Sequence, residues 1–206
     1  MIVNRLIQNV EKMWRIQAAN DNKHLWYFDG YSRTGNEDII VEKYIYNLKE
    51  DYPGDVPDFL FLNSGVVVIS EKLKDSKLWW VLAMGSEMIP IYINGLDSKF
   101  YICNITYCPN AINYTTSIME APDENDERNF VKLYLKPDWI GGTINVIKLA
   151  NDASKNIYVL QNRSIGSDMV KICNEMNIEA FSFQPLIKYN HKVNGQYEME
   201  MDFQTE

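Results

Sequence analysis

The run VVVIS at 66–70, which follows FLFL at 59–62 across an AsnSerGly turn, constrains the fold more than any other feature of the chain. Short apolar runs rich in β-branched residues and bounded by turn residues mark buried strands. Two of them in succession put sheet in the interior. Ser70 then breaks the run into EKLKDSKLWW. Its hydroxyl stands where it can accept a hydrogen bond from a free amide of a following helix, and Glu71 suits the positive end of that helix. On this reading Ser70 ends a strand and starts a short helix, and is not a nucleophile.

Further strands are expected at EMIPIYIN (87–94) and SKFYICNITY (98–107). DIIVEKYIYNL (38–48) fits both a strand and a helix, and HLWYFDGY (24–31) carries aromatic strand formers into an AspGly turn. KEDYPGDVPD (49–58) is a loop. Residues 2–17 place Ile2, Leu6, Val10, Met13 and Trp14 near a three-to-four spacing, which predicts an amphipathic helix.

The scheme of strand, serine cap, helix and strand recurs in the second half. NIYVLQNRS (156–164) reads as a strand, Ser167 with Asp168 as a second cap, DMVKICNEMN as a helix, and EAFSFQPL (179–186) as a strand. The tail YEMEMDF (197–203) alternates strictly, with Tyr197, Met199, Met201 and Phe203 on one side and Glu198, Glu200 and Asp202 on the other. Period two predicts a strand with one wet, acidic face at a sheet edge, where the acids also discourage pairing with other chains. Strands outnumber helices and do not alternate regularly with them. The expected class is therefore α+β: mixed, mostly antiparallel sheet with peripheral helices, built as two similar strand-helix-strand halves. The chain reads as one domain over 1–206, with sub-halves 1–118 and 130–206 joined by an acidic loop at 119–129.

Charge narrows the partners. Twenty-eight acids against twenty bases give a net charge of −8, which repels phosphate backbones and anionic lipid. We expect neither direct nucleic-acid binding nor a membrane partner. MIVNRLIQNVEKMWRIQ lacks the basic start and unbroken apolar centre of a signal peptide, and three cysteines do not make a disulfide framework, so a cytoplasmic location is expected.

The chemical motifs are missing. GxxxxGK[ST], GxGxxG, HExxH, GxSxG and paired CxxC are all lacking, and the two histidines, His24 and His191, sit beside a strand and in a polar turn. We expect no catalytic residues, no cofactor and no metal. Glu198, Glu200 and Asp202 are the one set of acids that a strand would line up for a hard cation, although a solubilising edge explains them more simply. Thirteen tyrosines among abundant aromatics suit a recognition surface.

PDFLFLNSGVVVISEKLKD (57–75), FYICNIT (100–106) and NIYVLQNRSIGSDMVKICNEMNIEAFSFQPL (156–186) together resemble the eleventh family of immunity proteins of bacterial polymorphic toxin systems. Pro57, Asp58, Ser70, Glu71, Lys72, Leu73, Asn104, Phe183 and Pro185 fall on that family's pattern, over roughly residues 55–186. The resemblance implies a non-enzymatic antidote that binds a cognate toxin domain and blocks it. Its acidic stretches, Glu120, Asp123, Glu124, Asp126 and Glu127 with Glu198, Glu200 and Asp202, would then meet a basic surface on the toxin. Two other functions compete with this one. A ligand- or peptide-binding scaffold would need an aromatic-lined cleft, and a small carboxylate-dependent hydrolase would need two or three convergent acids in a pocket.

Overall fold

The computed structural model describes residues 2–19, 44–63, 65–119, 121, 130–136, 144–149, 152, 156–161, 168–193 and 196–200. Among them the chain is α+β, with two short helices set against mostly antiparallel or mixed strands.

The segment expected to be a helix at 2–17 is instead two strands, β1 (Ile2–Gln8) and β2 (Trp14–Ala18), separated by a 310 turn at Val10–Lys12. The helical spacing of its apolar residues is a coincidence that tertiary pairing overrides. Period two sends Val3 and Leu6 to opposite faces of β1, where both are buried in different cores. The ambiguous segment at 38–48 resolves as strand β3 over Tyr44–Leu48; residues 38–43, like 24–31, lie outside the described residues.

The remaining elements are β4 (Phe59–Phe61), β5 (Val67–Ser70), α1 (Lys77–Ala83), β6 (Ser86–Ile93), β7 (Phe100–Ile105), β8 (Ile118–Met119), β9 (Phe130–Lys132), β10 (Val146–Ile147), β11 (Tyr158–Gln161), α2 (Met169–Glu175), β12 (Phe181–Val193) and β13 (Gln196–Glu200). Six strands close a barrel in the order β2-β3-β6-β7-β5-β4, with β2 parallel to β4 and β3 parallel to β6. Five others form an antiparallel sheet, β10-β11-β1-β12-β13, and β8 pairs with β9. Because β1 supplies the centre of that sheet, the two large sheets do not divide the chain at 119–129.

Both strand-helix-strand units have the same topology. β5 and β6 flank β7 and run antiparallel to it, so the link through α1 joins two parallel strands with a third between them. β11 and β12 flank β1 in the same way, linked through α2. The inserted strand follows its unit in the first case and opens the chain in the second. That difference hides the shared inserted strand, though not the strand-helix-strand repeat, from a linear reading.

The interior explains why VVVIS lacks polar residues. Val68 and the neighbouring Leu60, Ile91, Phe100 and Ile102 fill the barrel, while Val67 and Ile69 point outward into a second core. There they meet Leu78 and Leu82 of α1, Met169 and Ile172 of α2, and Val159 and Phe181 of the five-stranded sheet. The two helices are thus packed together between barrel and sheet. Phe59 and Phe181 make an edge-to-face ring pair at 4.7 Å across this seam. A third core, with Val3, Ile112, Leu135, Ile147 and Leu160, covers the other face of the five-stranded sheet.

The caps carry one correction. Ser70 does cap, its Oγ accepting from the Lys72 amide at 3.2 Å, but the element it starts is only the 310 turn Glu71–Leu73. A second serine, Ser76, begins α1 by accepting from the Trp79 amide at 3.2 Å. Two caps within seven residues split what reads as one helix. At α2 the cap is Asp168, whose carboxylate accepts from the Lys171 amide at 3.1 Å; Ser167 lies outside the described residues. The helix ends at Asn177, in the left-handed region at φ 54°, with the Ile178 amide reaching back to the Cys173 carbonyl.

Candidate functional site

The acidic residues singled out from the sequence are only partly placed. Glu120, Asp123, Glu124, Asp126, Glu127 and Asp202 lie outside the described residues. Glu198 and Glu200 occupy alternate positions on β13, which is the outermost strand of the five-stranded sheet, as the alternating tail requires.

Ser70 is 1% exposed, its amide donates to the Asp58 carbonyl at 2.8 Å, and its hydroxyl is spent on the Lys72 amide. A side chain so enclosed cannot meet a substrate. Cys103 and Cys173 are buried, and burial raises both thiol pKa values, that of Cys173 to about 12. Neither is a thiolate at neutral pH. Among the described residues no cluster of three or more His, Cys, Asp or Glu side chains could hold a metal ion. No described helix is long and apolar enough to cross a membrane.

Two surface features were not anticipated. The first is an open cleft of about 420 Å3 at the junction of the 310 turn with β2, lined by Lys12, Trp14, Arg15, Glu50, Tyr52 and Pro57 among others. Trp14 and Tyr52 stack with ring centroids 5.2 Å apart and 9° between planes, and the Tyr52 hydroxyl accepts from the Arg15 amide at 2.9 Å. At its rim Lys12 pairs with Glu179 at 2.7 Å, which raises the lysine pKa and lowers that of the carboxyl.

The second feature lies on α1. Leu78, Trp79, Val81 and Leu82 form its buried arc, and Trp79 is anchored further by an edge-to-face contact with Tyr101 at 5.0 Å. Lys77, Trp80 and Met84 are left on the opposite side at helical spacing. Trp80 is 63% exposed and Met84 44%. Lys72, Lys74 and Lys171 are also exposed, and Glu175 lies 3.9 Å from Lys77 and 3.8 Å from Lys171. The signal was present in the WW doublet: with Leu78 and Leu82 setting the buried arc, one tryptophan must face in and the other out.

No protein-family model matches the chain, and no curated protein sequence matches it.

Proposed function

We propose that this chain is an immunity-type antidote: it binds a cognate bacterial toxin domain and neutralises it by covering the active site, without catalysing a reaction. The observation that carries this reading is the exposed Trp80, set beside Met84 on a helix whose other face is locked between two sheets. Tryptophan is among the residues that dominate protein interfaces, and a rigid mounting lowers the ordering cost of binding. The sequence resemblance adds to it, because residues on that pattern sit at joints of the fold. The Ser70 amide donates to the Asp58 carbonyl, Asn104 is buried in β7, Phe183 packs on the central core, and Pro185 lies opposite Asn4 where the β1–β12 register shifts.

The acidic stretch 119–129 and the edge strand bearing Glu198 and Glu200 steer a toxin with a basic surface. Stopped-flow association with the toxin domain tests this. The rate should fall with rising salt, and reversing Asp123, Glu124, Asp126 and Glu127 together should slow it about tenfold at low ionic strength. A rate that ignores both changes removes the electrostatic part of the proposal.

The Trp14–Tyr52 cleft favours a second reading, a scaffold that holds a ligand or peptide against a stacked aromatic pair. Saturable binding of a sugar or peptide that is lost in Trp14→Ala, with no toxin partner found, would replace the first reading with this one.

A further inference from the structure

We infer that the exposed face of α1 is a docking surface for a protein segment that presents an apolar anchor flanked by carboxylates. The inference rests on the antidote reading only for the identity of that partner. Trp80 and Met84 supply a contiguous apolar strip, one helical turn apart, in direct line with Lys77. The charge around it opposes that of the chain as a whole. Across 71–77 three lysines, Lys72, Lys74 and Lys77, face two acids, and one of those, Glu71, is engaged by Lys99 at 3.9 Å and by the Tyr101 hydroxyl at 3.1 Å. Lys171 of α2 adds a further cation at the same helix pair, and Glu175, 3.8 Å from it and 3.9 Å from Lys77, offsets one of those two charges, so lysine remains in excess. Exposed lysines on the turn that leads into α1 and on both helices, in a chain of net charge −8, make this side complementary to an acidic and apolar segment and not to the basic surface met by the acidic stretches. The helix is also ready to bind. Its buried arc and its Ser76 cap hold it in place, so covering Trp80 orders one side chain and little backbone.

The test uses the intact chain and two fluorescein-labelled helical peptides. One has leucine and phenylalanine at i, i+4 spacing with glutamate elsewhere; the other has lysine in place of every glutamate. Fluorescence anisotropy should show the acidic peptide binding at least tenfold more tightly than the basic one, with an affinity that falls as salt rises. Trp80→Ala should weaken it about 30-fold, the effect of removing an interface anchor, while the unfolding midpoint of the chain stays unchanged because Trp80 is exposed. The triple variant Lys72→Glu, Lys74→Glu, Lys77→Glu should weaken it at least tenfold and reverse the salt dependence, since salt then screens a repulsion. Equal binding of the two peptides, or full binding by Trp80→Ala, overturns the inference. So does self-association of the chain that Trp80→Ala removes, since the occupant would then be a second copy. If the α1 variants lose the peptide but still neutralise a toxin, the docking surface stands, its occupant is not the toxin, and the antidote reading loses Trp80 as its support. If the peptide binds and no toxin is neutralised, the surface stands and the antidote reading falls.

Discussion

Replacing Gly85 with alanine wedges a methyl carbon into the junction between the two sheets. Gly85 lies between α1 and β6, and its carbonyl accepts from the amides of Thr106 and Tyr107 at 3.0 and 3.3 Å. A Cβ there would stand 2.8 Å from Ile144 Cγ2 and 2.9 Å from the Val146 carbonyl oxygen, on the chain that forms β10 of the five-stranded sheet. Ordinary carbon contacts need about 3.5 to 4.0 Å, so neighbours must give by roughly 0.7 Å. The isoleucine methyl can turn aside; the carbonyl cannot, because β10 is paired to β11. Overpacking of this kind costs about 1–3 kcal/mol, and the lower chain entropy of unfolded alanine offsets about 0.4–1 kcal/mol. The expected net loss is about 1–2 kcal/mol. In urea, with a slope of about 2 kcal/mol/M, the midpoint should drop by about 0.5–1 M with the slope unchanged. An unchanged or raised midpoint would mean that β10 does not pass against the turn after α1, and the packing of sheet against barrel would need redrawing.

Three further outcomes follow from the same contacts. Ser70→Ala and Ser76→Ala should each cost about 1 kcal/mol in chemical denaturation, near-additively since each caps a different turn, and Ser70→Ala should not reduce partner binding; loss of binding at unchanged stability would give Ser70 a functional role. Stability should fall as pH rises above about 9. Cys173 and Tyr46 hold their protons in the fold to about 12, against ordinary values of 9.0 and 10.0, so the unfolded chain releases protons first and gains stability with pH. Thermal midpoints that stay flat from pH 8 to 11 would contradict the burial of these groups. An aromatic disulfide reagent should label one thiol of the native chain quickly, Cys108, and all three only after denaturation; fast labelling of two or more contradicts the buried placement of Cys103 and Cys173.

What could be read from the sequence was what local chemistry decides. The apolar VVVIS run, the cap at Ser70, the α2 segment and the alternating tail each declare their element through a few adjacent residues; the first strand and α2 lie where expected, the cap forms but opens only a 310 turn, and the tail is a strand as far as Glu200, with 201–203 outside the described residues. The failures are non-local. Residues 2–18 carry a helical spacing but become two strands because β11, β12, β3 and β4 offer partners distant in the chain. Parallel pairing of β2 with β4 closes the barrel, and no turn signal announces it. The candidate surface was hidden for a related reason. Whether Trp79 or Trp80 faces outward depends on which residues of α1 meet α2 and the sheets, and that arc is set only by the assembled core. Glu198 and Glu200 were placed correctly on an edge strand because period two is a property of the strand alone.

On the proposed function, this chain works by covering another protein. Size-exclusion chromatography with light scattering, on the chain mixed with a cognate toxin domain, tests this proposal. A 1:1 complex is expected, with toxin activity falling in proportion to added chain and reaching zero at equal amounts. Separate elution of the two proteins with the toxin fully active, or turnover of a small molecule by the chain alone, would contradict it.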